Sequence, residues 1–170
     1  MTSSIGNHNA QQIGRTDIHS MGVEDAFLLV NYQRMSNLGN VLKDQIADVQ
    51  EKNIQMNETN ELMSLARTVL AKFGSDAKSD EEIADSDEMS TFRKECANAG
   101  FNTDGISNKG ELNAAFENFK SKVDSLTNTQ QIAMLHAQST WHAYNETASS
   151  ITNHLKGMHD LKREIIHNSV

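Results

Sequence analysis

Met35, Leu42, Val49, Met56, Met63 and Leu70 recur every seven residues without a break. An apolar period of seven commits a segment to a helix that packs along its length against a partner. The companion row three residues on reads Leu38, Gln45, Lys52, Thr59, Ala66 and Phe73, apolar at both ends and polar in the middle. That predicts firmly packed ends and a weaker centre. From Met35 to Phe73 such a helix would run on the order of 60 Å, with Gly74 and Ser75 placed to end it. The chain of 170 residues contains no proline, so nothing interrupts a long helix covalently.

A second repeat fills the C-terminal part. One row reads Met134, Trp141, Ala148, Leu155 and Lys162, the other Ala137, Tyr144, Ile151, Met158 and Ile165. Both rows are expected on a helix of roughly 65 Å beginning near Lys122, with Gly157 as its single glycine. Two such helices in one chain can pair antiparallel. The expected fold is therefore all-α: two long helices forming an antiparallel coiled-coil hairpin, with a short mixed insert and a mobile N-terminal arm.

The boundaries follow from composition. Residues 1–22 are rich in Ser, Asn, Gln, Thr, His and Gly, with Ile5, Ile13 and Ile18 too sparse for a buried face, and read as a mobile arm. Residues 23–74 hold a short leading helix (Val23, Ala26, Phe27, Val30, Arg34) and the first long coiled-coil helix, with Gly39 a weak point between them. Residues 75–121 are an acidic linker and small insert, and residues 122–170 the C-terminal coiled-coil helix. Seven acidic residues and one lysine between Asp76 and Glu88 read as a solvated, mobile linker from which no core is built. Beyond it, Met89, Phe92, Cys96 and Ala99 share one helical face, and Leu112, Ala115, Phe116 and Phe119 another.

Several chemistries find little support. A formal net charge of −8 with few arginines argues against nucleic acid as partner. The longest apolar run, Ala26 to Val30, is far short of the roughly 20 residues of a membrane span. The first 22 residues carry only Arg15 and Asp17 as charges and no apolar stretch, unlike a Sec signal peptide. A lone Cys96 rules out an intrachain disulfide and reads as a small buried hydrophobe rather than a nucleophile. The loop Gly100 to Glu111 has Asn102, Asp104, Gly105 and Glu111 where a calcium loop would, but Gly100 stands at the first ligand position, so a turn before a helix is the better reading. His136, His142, His154, His159 and His167 never fall at the i, i+4 spacing of a helical metal pair. No cofactor, metal or catalytic residue is implied.

Lys120 to Val170 resembles the C-terminal helix of type III secretion needle-tip proteins, through KVDSLTNTQQ at Lys122 to Gln131, MLHAQS at Met134 to Ser139 and a terminal helix running almost to the last residue. The upstream order is similar too: polar arm, long heptad helix, acidic break, an insert with a GFNTDG turn, then KGELNAAFENFKSKVDSL. The resemblance implies a hydrophilic translocator, secreted to the bacterial cell surface at the distal end of the needle, structural rather than catalytic. Its implied partners are further copies of itself, the needle subunit, the hydrophobic translocon pore proteins and a dedicated cytosolic chaperone. Tip proteins of the LcrV and IpaD kinds carry a larger domain between the coil helices. The smaller insert here favours the subgroup that polymerises into a tip filament, EspA-like and including the Bordetella filament tip protein. With that role, residues 1–22 are the candidate secretion signal, and freedom from proline and disulfides suits a chain that must pass a narrow channel unfolded. The alternative is a cytosolic coiled-coil adaptor or export chaperone, which would use the same heptads but not the arm. Gln138, Trp141, Tyr144, Ile151 and Met158 are expected to pack in the hairpin.

Overall fold

The computed structural model describes residues 21–169, and residues 1–20, which include most of the expected arm, lie outside them. Three helices follow in order: α1 (Val23–Leu70), α2 (Asp87–Asn98) and α3 (Lys109–Asn168). Among the described residues there is no strand, only one isolated antiparallel bridge between Glu82 and Asn108. The chain divides into two units, one containing Leu42–Ser139 and the other the flanking segments up to Val41 and from Thr140.

In the unit formed by Leu42–Ser139, the end of α1, all of α2 and the start of α3 enclose a core of Leu62, Ala66, Val69, Met89, Phe92, Cys96, Ile106, Leu112 and Phe119. Phe92 meets Phe119 edge-on at 6.3 Å between ring centroids, and Phe101 does the same at 5.0 Å. Arg67 lies over the Phe116 ring and Lys109 over Phe73, at 5.0 and 5.7 Å. Truncating a buried Phe to Ala costs about 3–5 kcal/mol, so Phe92 alone carries a large share of this unit's stability.

The ends of the helices are set by side chains legible in the sequence. Ser86 caps α2 by accepting a hydrogen bond from the Met89 amide at 3.2 Å, with Asp87 and Glu88 in the first turn to complement the helix dipole. Its other end is a Schellman closure. The Phe101 amide donates to the Cys96 carbonyl at 2.7 Å and the Gly100 amide to Ala97 at 3.1 Å, with Gly100 at φ 78. At the start of α3 the Asn108 side chain accepts from the Glu111 amide (2.9 Å), while the Glu111 carboxylate accepts from the Asn108 amide (3.2 Å), a reciprocal capping box. The same carboxylate takes hydrogen bonds from the Ser107 amide and hydroxyl.

Three expectations change. The last long helix starts at Lys109, not near Lys122, because that capping box nucleates it thirteen residues earlier. The first ends at Leu70, before Gly74: Lys72 and Phe73 turn back onto the Val69 and Leu70 carbonyls, and Gly74 has no positive φ. The acidic segment is solvated as expected at its side chains but is held through its backbone. Ser79 and Glu81 carbonyls accept from the Gly110 and Lys109 amides, Ile83 donates to Ser107, and the Ile83 side chain packs on the core.

In the other unit, α1 up to Val41 packs on α3 from Thr140. Phe27 and His154 lie ring to ring at 4.4 Å, and Gly39 lies beside the Tyr144 ring. The helix passes through Gly39 unbroken, and a Cβ there would sit 3.6 Å from the Tyr144 ring, an ordinary contact. At Gly110 a Cβ would fall 3.0 Å from the Ser79 carbonyl oxygen, against backbone that cannot swing away.

Opposite outcomes are expected for one chemical change at two glycines. Gly39→Ala should stabilise the chain by about 0.5–1 kcal/mol through helix propensity. Gly110→Ala should destabilise it by roughly 1–3 kcal/mol, as overpacking does, both read by chemical denaturation followed by circular dichroism. Glu111 carries a pH signature. The Ser107 amide, then its hydroxyl, hold the carboxyl below its ordinary value of 4.5. A depressed folded-state value means stability present above the unfolded-state value and lost as pH falls through the folded one. Glu111→Gln should therefore lower the melting temperature at neutral pH, and the gap to wild type should narrow as pH falls through the depressed folded-state value.

Candidate assembly surface

The seam residues are best judged by which rows each helix buries. Along α1, Met35, Leu42, Val49, Met56, Met63 and Leu70 are all half-buried. In the companion row Thr59 and Ala66 are buried and Leu38, Gln45, Lys52 and Phe73 half-buried. Beyond Gln55 the deepest burial in α1 falls on Thr59, Leu62, Ala66 and Val69, so Leu62 and Val69, one position before Met63 and Leu70, are more covered than the apolar row itself. The polar centre is accommodated in different ways. Thr59 returns its hydroxyl to the Gln55 carbonyl (2.7 Å), Lys52 pairs with Asp48, and Gln45 leaves its side-chain oxygen buried without a partner.

Along α3 one row is as expected and the other is not. Ala137, Tyr144 and Met158 are half-buried and Ile151 is 4% exposed. Their companions in the buried face are Ala133, Thr140, Thr147 and His154, not Met134, Trp141 and Leu155. Met134, Trp141, Leu155 and Ile165, together with Gln138, are exposed, which corrects their placement in the packed seam. The reason is chemical. Thr147, only 3% exposed, satisfies its hydroxyl on the Ala143 carbonyl at 2.8 Å, so a formally polar residue fills an apolar position. His154 packs its ring on Phe27 and keeps Nε2 buried without a partner.

The α3 row left outside is therefore the more apolar one. Trp141, the single tryptophan of the chain, is 50% exposed and stacks on Tyr144 at 6.0 Å with the rings 7° from parallel. Leu155 is 43% exposed two heptads on. From Ser125 to Leu155 the only Asp, Glu, Lys or Arg is Glu146, whereas α1 carries eight such residues between Lys43 and Arg67. A solvated outer face is usually charged, and one depleted of charge with aromatic residues at its centre has the composition of an interface.

The remaining candidates are soon placed. Cys96 is buried, and burial pushes its thiol up to about 11. His136, His142, His159 and His167 are exposed on α3, and among the described residues no three metal-binding side chains converge. The calcium-like position of Glu111 is taken up by the capping box. A recess of about 110 Å³ lies between Val69, Phe73 and Ile83, with Glu81, Glu82 and Lys72 at its rim. The larger hollow of about 630 Å³ is bounded, among the described residues, by Asp160, Arg163, Glu164, Ile166 and His167 of α3, all exposed. No helix among the described residues is long and apolar enough to cross a membrane.

With its thiol at about 11, roughly one Cys96 in a thousand would be thiolate at pH 8. Alkylation of the native chain should accordingly be slower than of the urea-unfolded chain by at least two orders of magnitude, followed by mass spectrometry; equal rates would mean that α2 does not shield the thiol.

Comparison with protein-family models, with curated proteins and with solved structures finds no match to this chain.

Proposed function

We propose that the chain is an exported structural subunit of a type III secretion needle tip, whose two long helices form an antiparallel coiled-coil hairpin and whose copies polymerise into a filament that supports translocon assembly. The observation that carries the assembly half is the pair of apolar rows on α3: one is covered by α1, the other, with Trp141 and Leu155, is open. The secretion half rests on the resemblance of Lys120 to Val170 to the tip proteins. The hairpin reading is supported by paired contacts in which residue numbers rise on α1 as they fall on α3. Within one unit these are Asn53 with Gln130, Met56 with Thr127 and Arg67 with Phe116; within the other, Phe27 with His154 and Gly39 beside Tyr144. Heptad rows keeping such a register are what an antiparallel coiled coil requires.

In this role the protein performs no chemistry. It exposes uncharged helix surface to its own copies, to the needle subunit and to the pore-forming translocators, while its acidic remainder keeps the exported monomer soluble. Subunits added through unlike faces extend without closing, which is how a filament grows.

The test has two arms in a host with a working secretion apparatus. Deleting residues 1–20 should abolish export and leave the helical circular dichroism of the purified chain unchanged; normal secretion of the truncated chain would reject the exported role in favour of a cytosolic adaptor or chaperone. Negative-stain microscopy of the purified chain over a concentration series should show long filaments of uniform width, and monomers at every concentration would reject polymerisation.

A further inference from the structure

We infer that growth of the assembly joins two different stripes of the same unit: the α1 stripe of Val23, Val30, Arg34 and Val41 on one copy docks on the α3 stripe of Trp141, Ala148 and Leu155 on the next. This deepens the self-assembly reading above and rests on that reading only for the claim that the polymer is the working form.

The α1 stripe is defined by spacing and exposure. Its members lie seven, four and seven residues apart, within about 40° of one another around the helix. Val23, Val30 and Val41 are among the large apolar side chains left exposed, Val30 at 55%. From Ala26 to Leu42 the only charged residue is Arg34. The α3 stripe repeats every seven residues, beside the row that packs on α1. Each is the kind of apolar row that accepts a helix lying along it.

Electrostatics choose the occupant. The chain carries a net charge of −8, so two copies approaching at random repel. Neither stripe contains an acidic residue, and Glu146, five positions beyond Trp141, lies about 140° round the helix. Arg34 is exposed and makes no ion pair within the described residues. Across the contact it finds a partner of the right kind, because the stacked Trp141 and Tyr144 rings offer a flat π surface to a guanidinium. A cationic stripe thus meets an aromatic one, and a second copy supplies both. Two α3 stripes facing each other would lack that pairing and would close into a dimer, whereas unlike stripes leave each copy with one free face of each kind.

The test uses the purified full-length chain and complementary blocked faces. Val30→Glu disables the α1 stripe and Trp141→Glu the α3 stripe. Both positions are at least half exposed, so the fold should survive, which circular dichroism checks; if Trp141→Glu loses helix, Leu155→Glu replaces it. In sedimentation velocity the wild type should form an open-ended series of species, and each variant alone should remain monomeric. An equimolar mixture of the two should give a heterodimer and nothing larger, because only one productive pair of faces survives. Arg34→Gln should weaken wild-type association about tenfold. Trp141 fluorescence, the chain's only tryptophan signal, should shift to the blue as wild type assembles.

Other outcomes overturn the inference. Dimers of Val30→Glu alone would show like faces pairing. A mixture that stays monomeric would show that neither stripe is used. A shift of Trp141 emission in dilute monomer on deletion of residues 1–20 would show that the chain's own N-terminal segment covers the stripe. None of these readouts depends on secretion, so an export failure in the preceding experiment and a failure here are distinguishable.

Discussion

The burial of Phe92 is the interaction on which the middle of the chain depends. Its ring is fully covered within a cluster that draws Leu62, Ala66 and Val69 from α1 and Leu112 and Phe119 from α3. α2 has only 12 residues, too few to be helical in isolation. It exists because Met89, Phe92 and Cys96, at spacings of three and four, are removed from water together, with Ser86 and Gly100 closing its ends. The acidic segment is then tethered by its backbone, through the Ser79, Glu81 and Ile83 hydrogen bonds, at little cost to its charges, which remain in water. The Lys72 ammonium, 2.6 Å from the Glu88 carboxylate, holds that carboxyl below its ordinary value and links the turn after α1 to the start of α2.

How much of this was legible in the sequence differs between the long helices. In α1 the apolar row of six and the polar companions Gln45, Lys52 and Thr59 mark a covered side, but the deep burial of Leu62 and Val69, one position before Met63 and Leu70, is not legible from those rows, because it comes from packing against the short helix α2 and the start of α3. In α3 two rows compete to accompany Ala137, Tyr144, Ile151 and Met158. Apolarity favours Met134, Trp141 and Leu155, whereas packing uses Ala133, Thr140, Thr147 and His154. A threonine that bonds back to its own helix behaves as a small apolar residue, and composition does not reveal that. The start of α3 was legible in part: Gly100 to Glu111 reads as a turn before a helix, but the long helix was expected only from near Lys122. Asn108 and Glu111 stand three apart as in a capping box, yet Glu111 also fits the twelfth place of a calcium loop. The arm at residues 1–20 lies outside the described residues, so the sequence alone speaks for it.

The polarity of the α3 seam bears on function. A monomer optimised for its own stability would turn its single tryptophan inward, since a buried aromatic contributes more than a threonine at the same place. Here Trp141 and Leu155 face outward, while Thr147, His154 and the unpartnered Nε2 of His154 occupy the interior. A buried polar atom without a partner lowers stability. The arrangement is costly for an isolated chain and fits the proposed subunit, whose outward rows a neighbour would cover.

The same argument accounts for the uneven charge. Chains that must stay apart before assembly and together after it need repulsion over most of the surface and none at the contact. The eight charged residues of α1 from Lys43 to Arg67 and the acidic stretch from Asp76 to Glu88 supply the former. The stretches Ala26–Leu42 and Ser125–Leu155, with one charge each, supply the latter. Because Arg34 lies on the α1 stripe while Glu146 is set away from the Trp141 row, one face is cationic and the other uncharged and aromatic, and that difference would make the proposed contact directional. A directional contact between unlike faces adds subunits in one sense only, the property a structure growing outward from a fixed base requires.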